Sequence, residues 1–306
     1  MADTTDSAGR TDEAFGLAAR VPLMALYWTV AGPVEIHAGR EWSTFSWRER
    51  CETVAEGGFQ GIGLWHADVS HQLESTTYEE MRKVFDDAGL RYLEVEFLAD
   101  FWVPQGDPKR AASDRLRRQL FETAAAFDAH HIKVGNIPET PCELDRLIEE
   151  YAALCDDAAQ HTDAKVAYEI IPFDPNVNTL EDGIRLVTEA DRKNGGLAID
   201  TWHMGKLRIA PEELKRIPGD QLAWVELSDG PVQFMDDPID EVINHRRLPG
   251  EGEFDIPGYI EACRTIGYDG PWGAEILSAE LRALPLEEAV KRTYAASVAQ
   301  FGAGVI

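Results

Sequence analysis

Four short apolar runs in the second half of the chain run into a carboxylate: Glu169 in "AYEIIPF", Asp200 in "GLAID", Glu226 in "WVELSDG" and Glu275 in "WGAEILS". A single acid at a strand end is ordinarily solvated or paired with a nearby Lys or Arg. Four acids delivered to one place repel one another and raise each other's pKa unless a cation holds them. The basic residues near these segments, Lys206, Arg208, Arg246 and Arg247, are few and fall in loops. A divalent metal is therefore the better counter-charge, with Glu169, Asp200, Glu226 and Glu275 as its ligands. An all-oxygen set favours a hard cation such as Mn²⁺ or Mg²⁺, whereas zinc prefers more nitrogen or sulfur.

Other polar residues are expected at the same place. His203 follows Asp200 by three residues and is read as a substrate-contacting or catalytic group, with a solvated loop histidine as the plain alternative. His66 ends the second apolar run and Glu96 lies near the end of the third. Lys133, in "HIKVGNI", is placed facing the interior, where an ion pair with a neighbouring carboxylate would account for it. In "NHRRLPGEGEFDIPGYI" the turn at Pro249-Gly250 and Gly252 could bring Arg247 over the site as a clamp on a substrate oxygen or phosphate. Of the tryptophans near these segments, Trp28, Trp65, Trp102 and Trp202, each could stack on a sugar face or simply pack; Trp65 is the one assigned to substrate binding.

The elements that must position these groups alternate strictly. Strands are predicted at 23–30, 61–67, 91–98, 131–137, 165–171, 196–200, 222–228 and 272–277. Helices are predicted from Ser46 to Gly58 and near 77–88, 111–129, 142–160, 180–193, 211–217, 256–266 and 286–300. Eight βα units with no linker between them predict a single-domain (β/α)8 TIM barrel over 21–306, preceded by a flexible polar leader at 1–20. An open doubly wound sheet is the rival, but no G-x-G-x-x-G follows the first strand. In a barrel the strand ends converge on one mouth, which is where the four acids would meet.

Composition narrows the function classes. A net charge of −26 repels nucleic acid and anionic membranes, and no apolar run is long enough to span a bilayer. The N-terminus lacks the basic-then-apolar order of a secretory signal, so a cytoplasmic protein is expected. Four scattered cysteines, without a C-x-x-C pair, read as free thiols.

The segments "YEIIP", "IDTWH", "ELSDG", "RLPGEGEFD" and "GAEI" resemble the xylose isomerase-like superfamily of sugar phosphate isomerases and epimerases. That superfamily includes ketose 3-epimerases, inosose dehydratase and endonuclease IV-type repair enzymes, and the likeness spans nearly the whole chain after the leader. It implies one divalent metal on Glu169, Asp200, Glu226 and Glu275, substrate contacts from His203 and Arg247, and proton transfer by Glu169 and Glu275. The chain departs from the pattern at strand seven, where the epimerases carry His and this sequence has Glu226. Either the metal sees four carboxylates, which favours Mn²⁺ or Mg²⁺, or His245 completes the shell and Zn²⁺ stays possible. Co²⁺ is a further option. The segments "ALYWTVAGPVE" and "FSWRERCETVAEGGFQGIGLWHAD" look similar to the large subunit of bacterial C-glycoside deglycosidases. That closer likeness implies a 3-oxo-glycoside substrate, a small β-rich partner subunit and an oligomer.

The chemistry common to these readings is α-deprotonation of a keto-sugar beside a metal, with a carboxylate or His as base. Reprotonation gives an epimer or an isomer; expulsion of a β-leaving group gives elimination. His203 or His66 is a candidate base for elimination. A DNA-repair phosphodiesterase would need more histidine ligands and a basic groove. A phosphosugar isomerase would need a phosphate pocket beyond Lys206, Arg208, Arg246 and Arg247. A non-catalytic sugar-binding protein is the remaining alternative.

Overall fold

A computed structural model describes residues 21–36, 39–137 and 140–302. The leader predicted at 1–20 lies outside the described residues. Eight strands form a closed barrel in sequence order: β1 Leu23–Ala25, β2 Gly61–Trp65, β3 Tyr92–Leu98, β4 His131–Val134, β5 Lys165–Glu169, β6 Gly195–Asp200, β7 Leu222–Leu227 and β8 Trp272–Ala274. Every neighbouring pair is parallel and β8 closes on β1, so the (β/α)8 fold is as predicted. Strands buried on both sides explain the near-continuous apolar runs. The main core lies between strands and outer helices, and a smaller cluster of Met24, Leu26, Ala167, Ala198 and Trp224 fills the barrel interior.

The eight predicted helices are present, and their starts are set by local hydrogen bonding. Ser46 accepts from the Glu49 N–H, Thr77 and Glu80 form a reciprocal capping box, and Asp107 caps a helix with Pro108 at its first position. Five short helices that the sequence reading missed follow strand ends: Tyr27–Val30, His66–Gln72, Thr201–Leu207, Pro238–Asn244 and Ala279–Arg282. The first two shorten the predicted first and second strands, because a continuous apolar run does not distinguish a strand from the buried helical turn that continues it. All five stand at the carboxyl ends of strands, so they build the mouth. No helix among the described residues is long and apolar enough to cross a membrane, and the four cysteines are free thiols.

Candidate active site

The barrel delivers its acids as the strand ends require. Glu169 and Asp200 are the last residues of β5 and β6, Glu226 is the second-last of β7, and Glu275 follows β8 directly. Asp200 pairs in register with Glu226. Asp200 is also the cap of the following helix, its Oδ1 accepting from the Trp202 N–H at 2.8 Å. Each of the four offers one oxygen within 4.8 Å of the other three, and Glu169, Asp200 and His203 form an alternative trio with the same closeness. All five residues are 4% exposed or less.

Two cations already thread this cluster. Lys133, inward-facing on β4, donates from Nζ to Glu275 Oε1 at 2.7 Å and to Glu226 Oε1 at 2.8 Å, and pairs with Glu96 Oε2 at 2.9 Å. Arg246 donates from Nη1 to Asp200 Oδ2 at 2.5 Å and to Glu275 Oε2 at 3.1 Å. Glu94 sits one layer lower, 3.6 Å from Lys133 Nζ and 3.1 Å from His131 Nε2. Six buried carboxylates thus face two buried cations.

The imbalance appears as unusual protonation and as unpartnered oxygens. Burial pushes Glu96, Glu169 and Glu226 well above the usual carboxylate range and raises Glu94 to about 7. Burial would move Asp200 the same way, but Arg246 and His203 outweigh it and hold Asp200 below its usual value. Burial also opposes the charge on Lys133, yet Glu226 and Glu275 keep it firmly protonated. Glu169 Oε1 and Glu226 Oε2 are buried without a hydrogen-bond partner. Orphaned carboxylate oxygens within a converging acidic set are what a divalent cation would satisfy, so the cluster fits one.

His203 is buried beside Glu169, its Nδ1 3.3 Å from Glu169 Oε1 and 3.1 Å from the Ile170 carbonyl. Nδ1–H donation to that carbonyl leaves Nε2 to accept from Arg246 Nη2 at 3.2 Å. Burial lowers the His203 pKa to about 4, so the ring is neutral near pH 7. Above the acids opens a cavity of about 450 Å³, with Glu96, Lys133, Glu169, His203, Arg246 and Glu275 on its wall. The rest of its lining is largely apolar, including Trp28, Trp65, Ile171 and Phe173. Trp65 is fixed by its Nε1 donating to Glu41 Oε2 at 3.0 Å and by the Trp28 ring 4.8 Å away.

Several expected positions differ. Arg247 is exposed and does not reach the cavity; its neighbour Arg246 does. Arg247 forms an antiparallel bridge with Asp229, and alternation along an extended segment turns successive side chains to opposite sides. Asp229 anchors this loop by accepting from the Gly230, Gly250 and Phe254 N–H groups, and a Cβ on Gly252 would lie 2.0 Å from Asp229 Oδ1. The doubled arginine carried no signal that could separate the two. His66 lies behind Trp65, ring on ring at 4.4 Å, and lines a neighbouring cavity instead. His245 is exposed and bonded to Asp240 at 2.8 Å, so it does not complete the acidic shell. Trp202 lies under Arg246, and neither Trp202 nor Trp102 lines the cavity. Lys133 makes the ion pair foreseen for it, with more partners than one. Lys206 is buried against Glu241 and the Pro231 and Gln233 carbonyls, tying helix Pro238–Asn244 down over the mouth.

A sequence profile described as the xylose isomerase-like TIM barrel matches residues 51–296. The chain belongs to the xylose isomerase-like TIM barrel family. Within this family it is 29% identical over 246 residues to a 3-dehydroshikimate dehydratase of Pseudomonas aeruginosa, covering 78% of this chain and 37% of that protein. It is 27% identical over 139 residues to an inosose isomerase of Bacillus subtilis, covering 44% of this chain and 48% of the relative. The chain therefore spans well under two thirds of the length of these relatives. A solved structure described as the IOLI protein with a bound zinc atom superimposes with a TM-score of 0.75 at 18% identity, over 92% of this chain and 98% of that one. At that identity the likeness is one of fold.

Proposed function

We propose that this barrel is a divalent-metal-dependent enzyme that removes the proton α to the ketone of a keto-sugar. The observation that carries the reading is the convergence of Glu169, Asp200, Glu226 and Glu275 beneath a cavity, with two orphaned oxygens among them. These four would hold the ion, with Mn²⁺ favoured by the all-oxygen set and Mg²⁺, Co²⁺ or Zn²⁺ as alternatives. Bound there, the ion would supply Lewis-acid polarisation of a carbonyl.

The chain's own residues account for the proton and charge movements. Glu169, which lines the cavity and whose Oε1 has no hydrogen-bond partner, takes the α-proton. The C–H electron pair moves into the α-carbon–carbonyl bond and the carbonyl oxygen becomes anionic. Lys133 and Arg246 place fixed positive charge on the wall where that charge develops. Glu275 or His203 returns a proton to the product. Arg246 also holds Asp200, Glu275 and His203 in one arrangement.

The most specific outcome we propose is β-elimination from a 3-oxo-glycoside, as in the C-glycoside deglycosidase large subunits that the N-terminal segments resemble. The α-carbon is then C2, and collapse of the enolate breaks the bond between C1 and the aglycone, which leaves with the electron pair and takes up a proton. The largely apolar upper wall supports a substrate with an apolar part beyond its sugar. Elimination of water, as the name of the dehydratase relative implies, is the second reading, and epimerisation or isomerisation the third. The deglycosidase reading brings with it a small β-rich partner subunit and an oligomer, which co-purification would detect.

The first test is elemental mass spectrometry on the wild type and on Glu169→Ala with Asp200→Ala. About one divalent ion per chain is expected in the wild type and none in the double variant. Solvent deuterium should enter 3-oxo-glucosides or ketohexoses at the α-carbon. Absence of metal in the wild type after soaking would sink the reading.

A further inference from the structure

We propose that Glu94, one layer below the acid cluster, is a positioning residue that receives the Lys133 ammonium when a divalent ion takes Glu226 and Glu275. The inference rests on the metal reading above and concerns what this chain does to make room for the ion.

In the metal-free chain the ammonium occupies the ion's own ligands. Its three N–H groups are engaged by Glu275 Oε1 at 2.7 Å, Glu226 Oε1 at 2.8 Å and Glu96 Oε2 at 2.9 Å. Glu226 and Glu275 belong to the set that would hold the ion. Like charges a few ångströms apart in a buried, weakly screened site repel strongly, so ammonium and ion cannot share those oxygens. The ammonium has to leave them, and its stem, anchored on β4, gives it two directions. Upward lies the cavity, where Arg246 and the ion would both repel it. Downward lies Glu94, whose Oε1 is 3.6 Å from Nζ.

Glu94 has the properties of a receiver. It is fully buried, yet neither of its carboxyl oxygens has a hydrogen-bond partner, although His131 Nε2 lies 3.1 Å from Oε2. Native interiors leave few acceptors in that condition, because a buried oxygen without a donor is destabilising. The same interior elsewhere carries apolar side chains, Met24, Leu26 and Ala167 among them. By exchanging Glu226 and Glu275 for Glu94 while keeping Glu96, the ammonium gives the orphaned carboxyl a donor and frees two ligands for the ion. It also stays beside Glu96, which lines the cavity, so its charge remains at the wall. The internal cation is then paired in both states, above in the metal-free chain and below in the loaded one.

The test measures Mn²⁺ binding to the full chain by calorimetry near neutral pH, for the wild type, Glu94→Gln, Lys133→Met and the double variant. Glu94→Gln should bind Mn²⁺ about 10- to 100-fold more weakly than the wild type, because the displaced ammonium meets a neutral amide in place of a carboxylate. In the Lys133→Met background the same change should alter affinity less than about threefold. Burial raises the Glu94 pKa to about 7 and Lys133 is the group that pulls it down, so without Lys133 the carboxyl stays protonated and Gln reproduces it. Crystals of the wild type with Mn²⁺ give a readout that needs no variant to fold: Nζ should lie within hydrogen-bond distance of Glu94 and have left Glu226 and Glu275. Equal Mn²⁺ affinity of the wild type and Glu94→Gln, the same loss with and without Lys133, or an ammonium still on Glu226 and Glu275 beside the bound ion would each overturn the role of Glu94 and leave the metal reading standing. A wild type that binds no Mn²⁺ would overturn both.

Discussion

Replacing Lys133 by Met tests whether an internal cation stands in for part of the metal's charge. The Lys133 ammonium is about 1% exposed and touches Glu226, Glu275 and Glu96 at 2.8, 2.7 and 2.9 Å. Met matches its length and removes only the charge and the donors. Removing one partner of a buried ion pair costs roughly 3–5 kcal/mol, because the other charge is left uncompensated. In a chain of this size that is a fall in Tm of roughly 6–20 °C, at about 2–4 °C per kcal/mol. Melting should be followed by calorimetry in chelator and again with excess Mn²⁺. The full loss is expected in chelator and a smaller one with Mn²⁺, which relieves the stranded carboxylates. The second change Glu226→Gln, which replaces one of the carboxyl groups left without its partner, should restore part of the loss, and the double-mutant cycle measures how much. A loss below about 1 kcal/mol in chelator would refute the reasoning, because three buried carboxyl groups, whatever their protonation, would have lost their shared hydrogen-bond donor.

Two further outcomes follow from the site. Arg246→Lys should lower kcat/KM about 10- to 100-fold by removing charged hydrogen bonds to Asp200, Glu275 and His203, whereas Arg247→Lys should change it less than about threefold; equal losses in steady-state assays would contradict the assignment of the clamp to Arg246. Because burial raises Glu169 and Glu226 well above the carboxylate range, metal uptake must displace protons, so apparent affinity should climb as pH rises from about 5 to 8. The sign for folding is that of a raised pKa: in metal-free protein the stabilisation is complete below the ordinary carboxylate value and is lost as pH rises through the raised one. Calorimetric titration in buffers of different ionisation enthalpy counts the protons, and a pH-independent affinity would contradict the protonated state of the metal-free cluster.

Much of this arrangement was legible before the fold was seen. Apolar runs alternating with amphipathic stretches, the first of them capped at Ser46, left the closed barrel as the economical solution. The acids at 169, 200, 226 and 275 were visible because each interrupts or ends an apolar strand, and in a parallel barrel strand ends share a mouth. The short helices at the mouth were not legible, since the apolar turn Tyr27–Val30 is indistinguishable in composition from a continuation of β1.

The sequence by itself determined the barrel and the identity of the strand-end acids, because both follow from local periodicity and from where polarity interrupts it. Only the tertiary structure decided what surrounds those acids. Lys133 lies 93 residues from Glu226 and 142 from Glu275, and closure of the barrel alone brings its ammonium between them. The choice between Arg246 and Arg247 rests on a bridge to Asp229, which turns one side chain inward and the other to solvent. His66 was expected at the mouth beside the acids, yet Trp65 stands between them, because the chain enters a helix at His66 and carries the ring to the far side of that wall. In each case the deciding contact joins residues whose separation along the chain carries no information about their separation in space.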